Sequence, residues 1–143
     1  MGQIFSLTSE DAEKIIEQAM NLLRESRNVA SISLVNRDGT EIAMSMMDGV
    51  KPSTQNVAIL KAKQAAHTGK PTSVTRDDII AGKVTAEVLG IRKKYLVPWA
   101  GGRPIYDLDG HLLGGIGVSN LAEEEDDRIA RTAVGAAGFK ACA

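Results

Sequence analysis

The sequence predicts a single α+β domain over residues 1–143, with a five-stranded antiparallel sheet and helices packed on it. Two observations carry this. Paired apolar runs flank the turn dipeptides Asp38-Gly39 and Asp109-Gly110, and tight turns of that kind join antiparallel neighbours. Stretches of helical periodicity lie before, between and after these hairpins, which argues against a parallel βαβ order. A chain of 143 residues has room for one domain with a real core.

The elements follow in order. Ala12, Ile15, Ile16, Ala19, Met20 and Leu23 fall on one face of a first helix. Thr8 caps it, Asp11 completes a capping box, and Leu7 is placed to pack on Ala12. Residues 29–35 alternate and carry β-branched side chains, so they read as a strand, and residues 41–47 return as its partner. A second helix starts near Ser53 or Thr54 and runs to about His67, stopped by Gly69 and Pro71. Its Ala58, Ala62, Ala65 and Ala66 allow it to lie close to a sheet. A shorter helix opens at Thr75, is weakened by Gly82 and ends at Gly90. Residues 95–98 read as a short strand that Pro98 confines to an edge or a bulge. A glycine-rich hairpin follows, and a last helix runs from Glu123 to about Lys140.

Composition excludes several functions. Seventeen basic against 18 acidic residues leave no basic field for nucleic acid, and aromatics at 3% provide no stacking platform for bases. No apolar run is long enough to span a bilayer, so no membrane partner is expected. The one cysteine, Cys142, suits a reducing, cytoplasmic compartment. The start of the chain fits an N-myristoylation pattern at Gly2, against the simpler reading of an ordinary flexible start. Gly115-Ile-Gly-Val-Ser-Asn120 falls short of a dinucleotide fingerprint, and Ser119 lacks the turn of a nucleophile elbow.

The chemistry concentrates in the glycine-rich region. Glycine weakens a strand unless a helix, a ligand or a second subunit must come close to the backbone. Gly101-Gly102-Arg103-Pro104, beside Trp99, reads as a loop whose free amides and guanidinium hold an anion. The alternative is a bulged strand start with Arg103 in solvent. Lys61 lies among alanines; the pattern favours an amine that snorkels to water, and a desolvated, reactive amine is the alternative. His67 and His111 are weak candidates for a metal or haem ligand, since neither has a partner at ligand spacing. The run Glu123-Glu124-Glu125-Asp126-Asp127 reads as a solvated helix cap, because consecutive carboxylates splay around the axis.

Several of these motifs together resemble the GlcG/HbpS-like family, the haem-degrading domain family that includes the C-terminal domain of PduO. They are the opening Leu7-Thr8 with its amphipathic helix, Asp38-Gly39, Met47-Asp48-Gly49, Ala58-Ile-Leu-Lys-Ala62 with Ala65-Ala66, Gly101-Gly-Arg-Pro104 and Gly114-Gly-Ile-Gly-Val-Ser119. The chain departs from the family pattern at Asn36, at Ser45-Met46, and at Asn120 where a glycine is usual. The resemblance implies a profilin-like fold and a homo-oligomer. It also implies a small-ligand site near the glycine loop, the lysine helix and a subunit boundary, with haem or corrinoid among the family's ligands.

The expected function is therefore an oligomeric binding domain for an anionic small molecule or a tetrapyrrole. Trp99, Gly101, Gly102, Arg103, Pro104 and Asn120 are its candidate contacts. The alternative is a small catabolic isomerase, tautomerase or lyase acting on an organic acid, with Lys61 and Arg103 as the catalytic pair. A purely structural partner of another enzyme is the third reading. In the first two, the doubled glycines let a negatively charged guest touch bare main chain.

Overall fold

The computed structural model describes residues 5–143; the Gly2 pattern lies outside them. Helix α1 (Ser9–Glu25) starts where its cap predicts, with the Thr8 hydroxyl accepting from the Asp11 amide at 3.1 Å. Strands β1 (Ser31–Asn36) and β2 (Glu41–Met46) form the first hairpin. Its turn is held by the Asn36 side-chain oxygen, which accepts from the Asp38 and Thr40 amides at 3.0 and 3.2 Å. Helix α2 (Ser53–Thr68) ends at Gly69, left-handed at φ 70° as a C-terminal glycine should be. The helix expected from Thr75 to Gly90 opens three residues earlier and is two pieces, α3 (Thr72–Ile80) and α4 (Ala86–Leu89), with Gly82 at φ 74° between them. Strands β3 (Gly102–Tyr106) and β4 (Leu112–Ser119) precede helix α5 (Glu123–Ala136). α5 stops short of Lys140, whose backbone instead exchanges two hydrogen bonds with Tyr106 at 2.8 and 2.9 Å.

The sheet among the described residues has four strands, in the order β2-β1-β4-β3 and antiparallel throughout, not the five expected. The segment that fails to join is 95–98. A 3₁₀ turn spans Lys93–Tyr95, and beyond it the Gln64 side chain binds both main-chain groups of Val97. Gln64 Oε1 accepts from the Val97 amide at 2.7 Å, and Nε2 donates to its carbonyl at 3.2 Å. Val97 thus needs no strand partner, and Pro98 has no N–H to offer one.

The sheet is covered on both faces. Ile32, Leu34, Ile105, Ile116 and Val118 point to one side and form the main core with α1 and α5. α2 lies on the other side, across β4, β1 and β3. Alternation along β4 puts Gly115 and Gly117 on the α2 face. A Cβ at Gly117 would collide with the Ala58 carbonyl oxygen, and one at Gly115 with that of Ala62. A Cβ at Gly102 would lie 2.6 Å from the Lys61 carbonyl oxygen and 2.5 Å from Thr72 Cγ2. The glycines therefore admit a helix backbone. This corrects the expectation that their bare main chain receives an anionic guest.

Candidate functional site

Lys61 decides the local architecture. It sits on the inner face of α2 with only 2% of its side chain exposed, so the expectation that it snorkels to water is wrong. Its Nζ donates to the Val118 carbonyl at 2.9 Å and to Asp126 Oδ2 at 3.2 Å. Asp126 belongs to α5, on the opposite side of the sheet, and is 4% exposed. The passage between the two exists because residue 101 is glycine. At φ 118°, a Cβ there would lie 2.7 Å from Lys61 Nζ and 2.9 Å from Asp126 Cβ. Gly101 thus makes room for an ion pair that ties the two helical layers together.

The acidic run fills the first turn of α5 as expected, but most of it is paired and not freely solvated. Asp126 binds Lys61, Asp127 binds Arg103, Glu123 binds Arg76 at 2.5 Å and Glu125 binds Arg128. Of the five carboxylates, Glu124 alone is fully exposed and outside these pairs. Asp126 sits three, four and seven residues before Ile129, Ala130 and Ala133, which places it on the buried face of α5.

Burial sets the protonation of the pair. Desolvation pushes the Asp126 carboxyl above its ordinary 3.8, and Lys61 only partly offsets it. Desolvation likewise draws the Lys61 ammonium below its ordinary 10.5, against the pull of Asp126. Arg103 is held the other way. Two 2.7 Å bonds to Asp127 form a bidentate pair and raise its pKa, and the side chain is 14% exposed.

A cavity of about 330 Å³ opens over this pair. Lys61, Asp126, Ser119 and Asn120 give it polar lining, and Trp99, Val57 and Leu121 give it apolar walls. Of the candidate residues, the structure thus brings together Lys61, Trp99 and Asn120. Gly101, Gly102, Arg103 and Pro104 do not line the cavity: the glycines are filled from within, and Arg103 is engaged by Asp127. Asn120 adopts φ 140°, a conformation that favours glycine, and its amide donates to the Val29 carbonyl at 2.8 Å. Sequence reasoning missed Asp126 and Ser119 as lining groups.

The histidines lie elsewhere. His67 hydrogen-bonds the Leu89 carbonyl through Nε2 at 2.5 Å, on the rim of a larger groove. His111 is only half-exposed; its Nδ1 contacts Asp107 at 2.8 Å and its ring stacks on Phe5 at 3.7 Å. Asp107, Asp109 and His111 place one ligand atom each within 4.8 Å of one another. Asp107 also accepts from the His111 and Asp109 amides, which lowers its pKa and holds the turn. No described helix is long and apolar enough to cross a membrane.

A Citrobacter freundii protein, the uncharacterized 15.0 kDa product of the dhaT-dhaS intergenic region, is 25% identical over 132 residues, 92% of each chain. The crystal structure of a PduOC–haem complex superposes with TM-score 0.85 at 24% identity, over 96% of this chain and 99% of that one. The Klebsiella pneumoniae protein ORFY does so with TM-score 0.85 at 20% identity, over 96% and 94%. At those identities the likeness establishes a shared fold. The family model for the haem-degrading protein HbpS-like group matches residues 7–135, nearly the whole of the domain built around the Lys61–Asp126 pair, and the chain belongs to that family.

Proposed function

We propose that this chain is a ligand-binding domain of the cytoplasm, acting as a homo-oligomer, that holds an anionic small molecule or a tetrapyrrole. The observation that carries the reading is the buried Lys61 amine at the floor of a cavity walled by the Trp99 indole. A guest carboxylate accepts from Lys61 Nζ in place of Asp126, and Asp126, whose carboxyl is already pushed toward its neutral form, takes up a proton. The Ser119 hydroxyl and Asn120 amide are additional hydrogen-bonding groups, and the apolar walls suit a short carbon chain. Oligomer formation is supported by Met44 and Met46, 45% and 41% exposed on edge strand β2. The exposed free thiol of Cys142 suits a reducing compartment.

Binding of an acid is then linked to proton uptake. Trp99, the one tryptophan of the chain, reports it. Titration of Trp99 fluorescence with pyruvate or lactate is expected to saturate, with affinity rising by up to about tenfold per unit of falling pH while Asp126 must be protonated on binding. Lys61→Met abolishes the response, whereas Arg103→Ala, outside the cavity, weakens it far less. Affinity independent of pH, or retained in Lys61→Met, rejects the reading.

A tetrapyrrole is larger than this cavity and would lie outside it, with His67 or His111 as axial ligand. Each imidazole has one nitrogen committed to a protein partner and a second to offer. The fold shared with a haem-complexed protein supports this version. A Soret shift on haemin addition, weakened in His67→Ala or His111→Ala, is the expected sign; no shift with the unaltered protein removes haem.

Catalysis on an organic acid is the second reading, favoured by the amine and carboxyl facing each other over the cavity with their pKa values drawn together. Such a pair can take a proton from a bound acid and return it, as an isomerase or tautomerase requires. In this version Arg103 acts at one remove, by holding Asp127 beside Asp126.

A further inference from the structure

A second concavity is larger than the one over Lys61. A groove of about 600 Å³ lies on the outer side of α2, between that helix, the β1–β2 turn and the segment that follows Gly90. Three cations from three separate elements line it: Arg37 from the turn, Lys63 from α2 and Arg92 from the segment after Gly90. One carboxylate, Asp38, accompanies them. Among the described residues none of these four groups is in an ion pair, and Arg37 reaches only the Leu112 carbonyl at 3.5 Å. Elsewhere Arg76, Arg103 and Arg128 are each matched to a carboxylate. The chain as a whole carries a net charge of −1. Three cations against one anion in a single groove is thus a local excess that the protein leaves uncompensated.

We infer that this groove, which His67 also lines and which a haem held by that imidazole would therefore occupy, is a second binding site, separate from the Lys61 cavity, for a small organic polyanion, such as a phosphate monoester or a polycarboxylate. Clustered like charges repel, and a multiply charged ligand relieves that repulsion on binding. Two of the cations are guanidinium groups, whose planar forks match phosphate and carboxylate oxygens. The groove also has an apolar wall at Ile91 and the half-exposed ring of Tyr95, 48% accessible, against which a carbon framework can rest. All three cations are exposed, and among the described residues none bonds a carboxylate, so each can turn toward a ligand. Among the described residues their loss removes no ion pair, and only the 3.5 Å contact from Arg37 to the Leu112 carbonyl.

The test uses the full chain at low ionic strength, with AMP, citrate and uncharged adenosine as probes, read by calorimetry and by amide chemical shifts. AMP or citrate is expected to bind with a dissociation constant below about 1 mM, and adenosine at least tenfold more weakly. Tighter binding of AMP marks the phosphate ester as the preferred chemistry, and tighter binding of citrate the polycarboxylate. Shifts gather at Arg37, Lys63 and the 90–95 segment. Arg37→Gln/Arg92→Gln, with an unchanged circular dichroism spectrum, weakens binding tenfold or more and flattens its salt dependence. The inference is overturned if neither anion binds, if adenosine binds as well as AMP, or if the shifts gather at Ser119 and Asp126 instead. It is equally overturned if the double substitution alters the oligomeric state and leaves anion affinity intact. The pyruvate response of Trp99 is unaffected by this double substitution, so failure here and failure of the Lys61 reading are told apart.

Discussion

Gly117→Ala is expected to destabilise the protein by more than about 3 kcal/mol, a loss of roughly 10 °C in melting temperature. The added methyl would meet the carbonyl oxygen of Ala58, and beyond it the Ala58 carbon and Ala62 amide nitrogen, both at 2.9 Å. These are backbone atoms of a regular helix, with no rotamer to escape into. Relief requires α2 to lift from β4, which also loosens its contacts with β1 and β3. Gly135→Ala is the matched control: it lies in α5 and an added Cβ meets nothing within 4 Å. That substitution is expected to stabilise by about 0.5–1 kcal/mol through helix propensity. Thermal melts of both variants decide the matter. Equal, small effects would mean that the helix is not seated on the glycines.

Breaking the Lys61–Asp126 pair has the second large effect. Asp126→Ala leaves a buried ammonium without its counter-charge and takes an acceptor from the Leu121 amide, which now bonds Oδ1 at 3.0 Å. The expected cost is about 3–5 kcal/mol. Lys61→Met leaves the Asp126 carboxyl buried with no cation and the Val118 carbonyl without its donor from Lys61. Urea unfolding of the two single variants and the double should give a coupling of about 1–3 kcal/mol, the double costing less than the sum. Strict additivity would mean that the two groups do not act as a pair.

The same cycle has a pH signature opposite to that of an ordinary salt bridge. Asp126 binds its proton more tightly folded than unfolded, so its contribution is present below pH 3.8 and is lost as pH rises through its raised pKa. Lys61 binds its proton less tightly folded than unfolded. Its contribution is complete above pH 10.5 and is lost as pH falls through its lowered pKa. The wild-type stability, measured relative to the double variant, should therefore dip between those two pKa values. A difference curve that peaks there instead would show that attraction outweighs desolvation. Retention of so costly a pair at the floor of a cavity is the physical reason to look for function there.

Much of the site was written in the helix spacings. Lys61 shares the α2 face of Thr54, Ala58, Ala62 and Ala65, all buried. Asp126 shares the α5 face of Ile129, Ala130 and Ala133. Each residue was thus marked as inward-facing by the 3.6-residue period, and the error lay in reading the amine as snorkelling and the carboxylates as a solvated run. What no spacing contained was that these two faces meet through a gap at Gly101. The same holds for Arg103, whose partner Asp127 lies on an element 24 residues away.

The sequence by itself determined the local periodicities, the caps at Thr8 and Gly69, both hairpins and the family, because these depend on neighbours within a few residues and on short motifs. Only the tertiary structure decided that the glycines seat α2 and not a ligand, and that Gln64 withdraws Val97 from the sheet. It also decided that a lysine and an aspartate 65 positions apart neutralise each other beneath a cavity. Those outcomes turn on distances between elements, and a steric or Coulombic term between residues far apart in the chain takes its value only when the layers close.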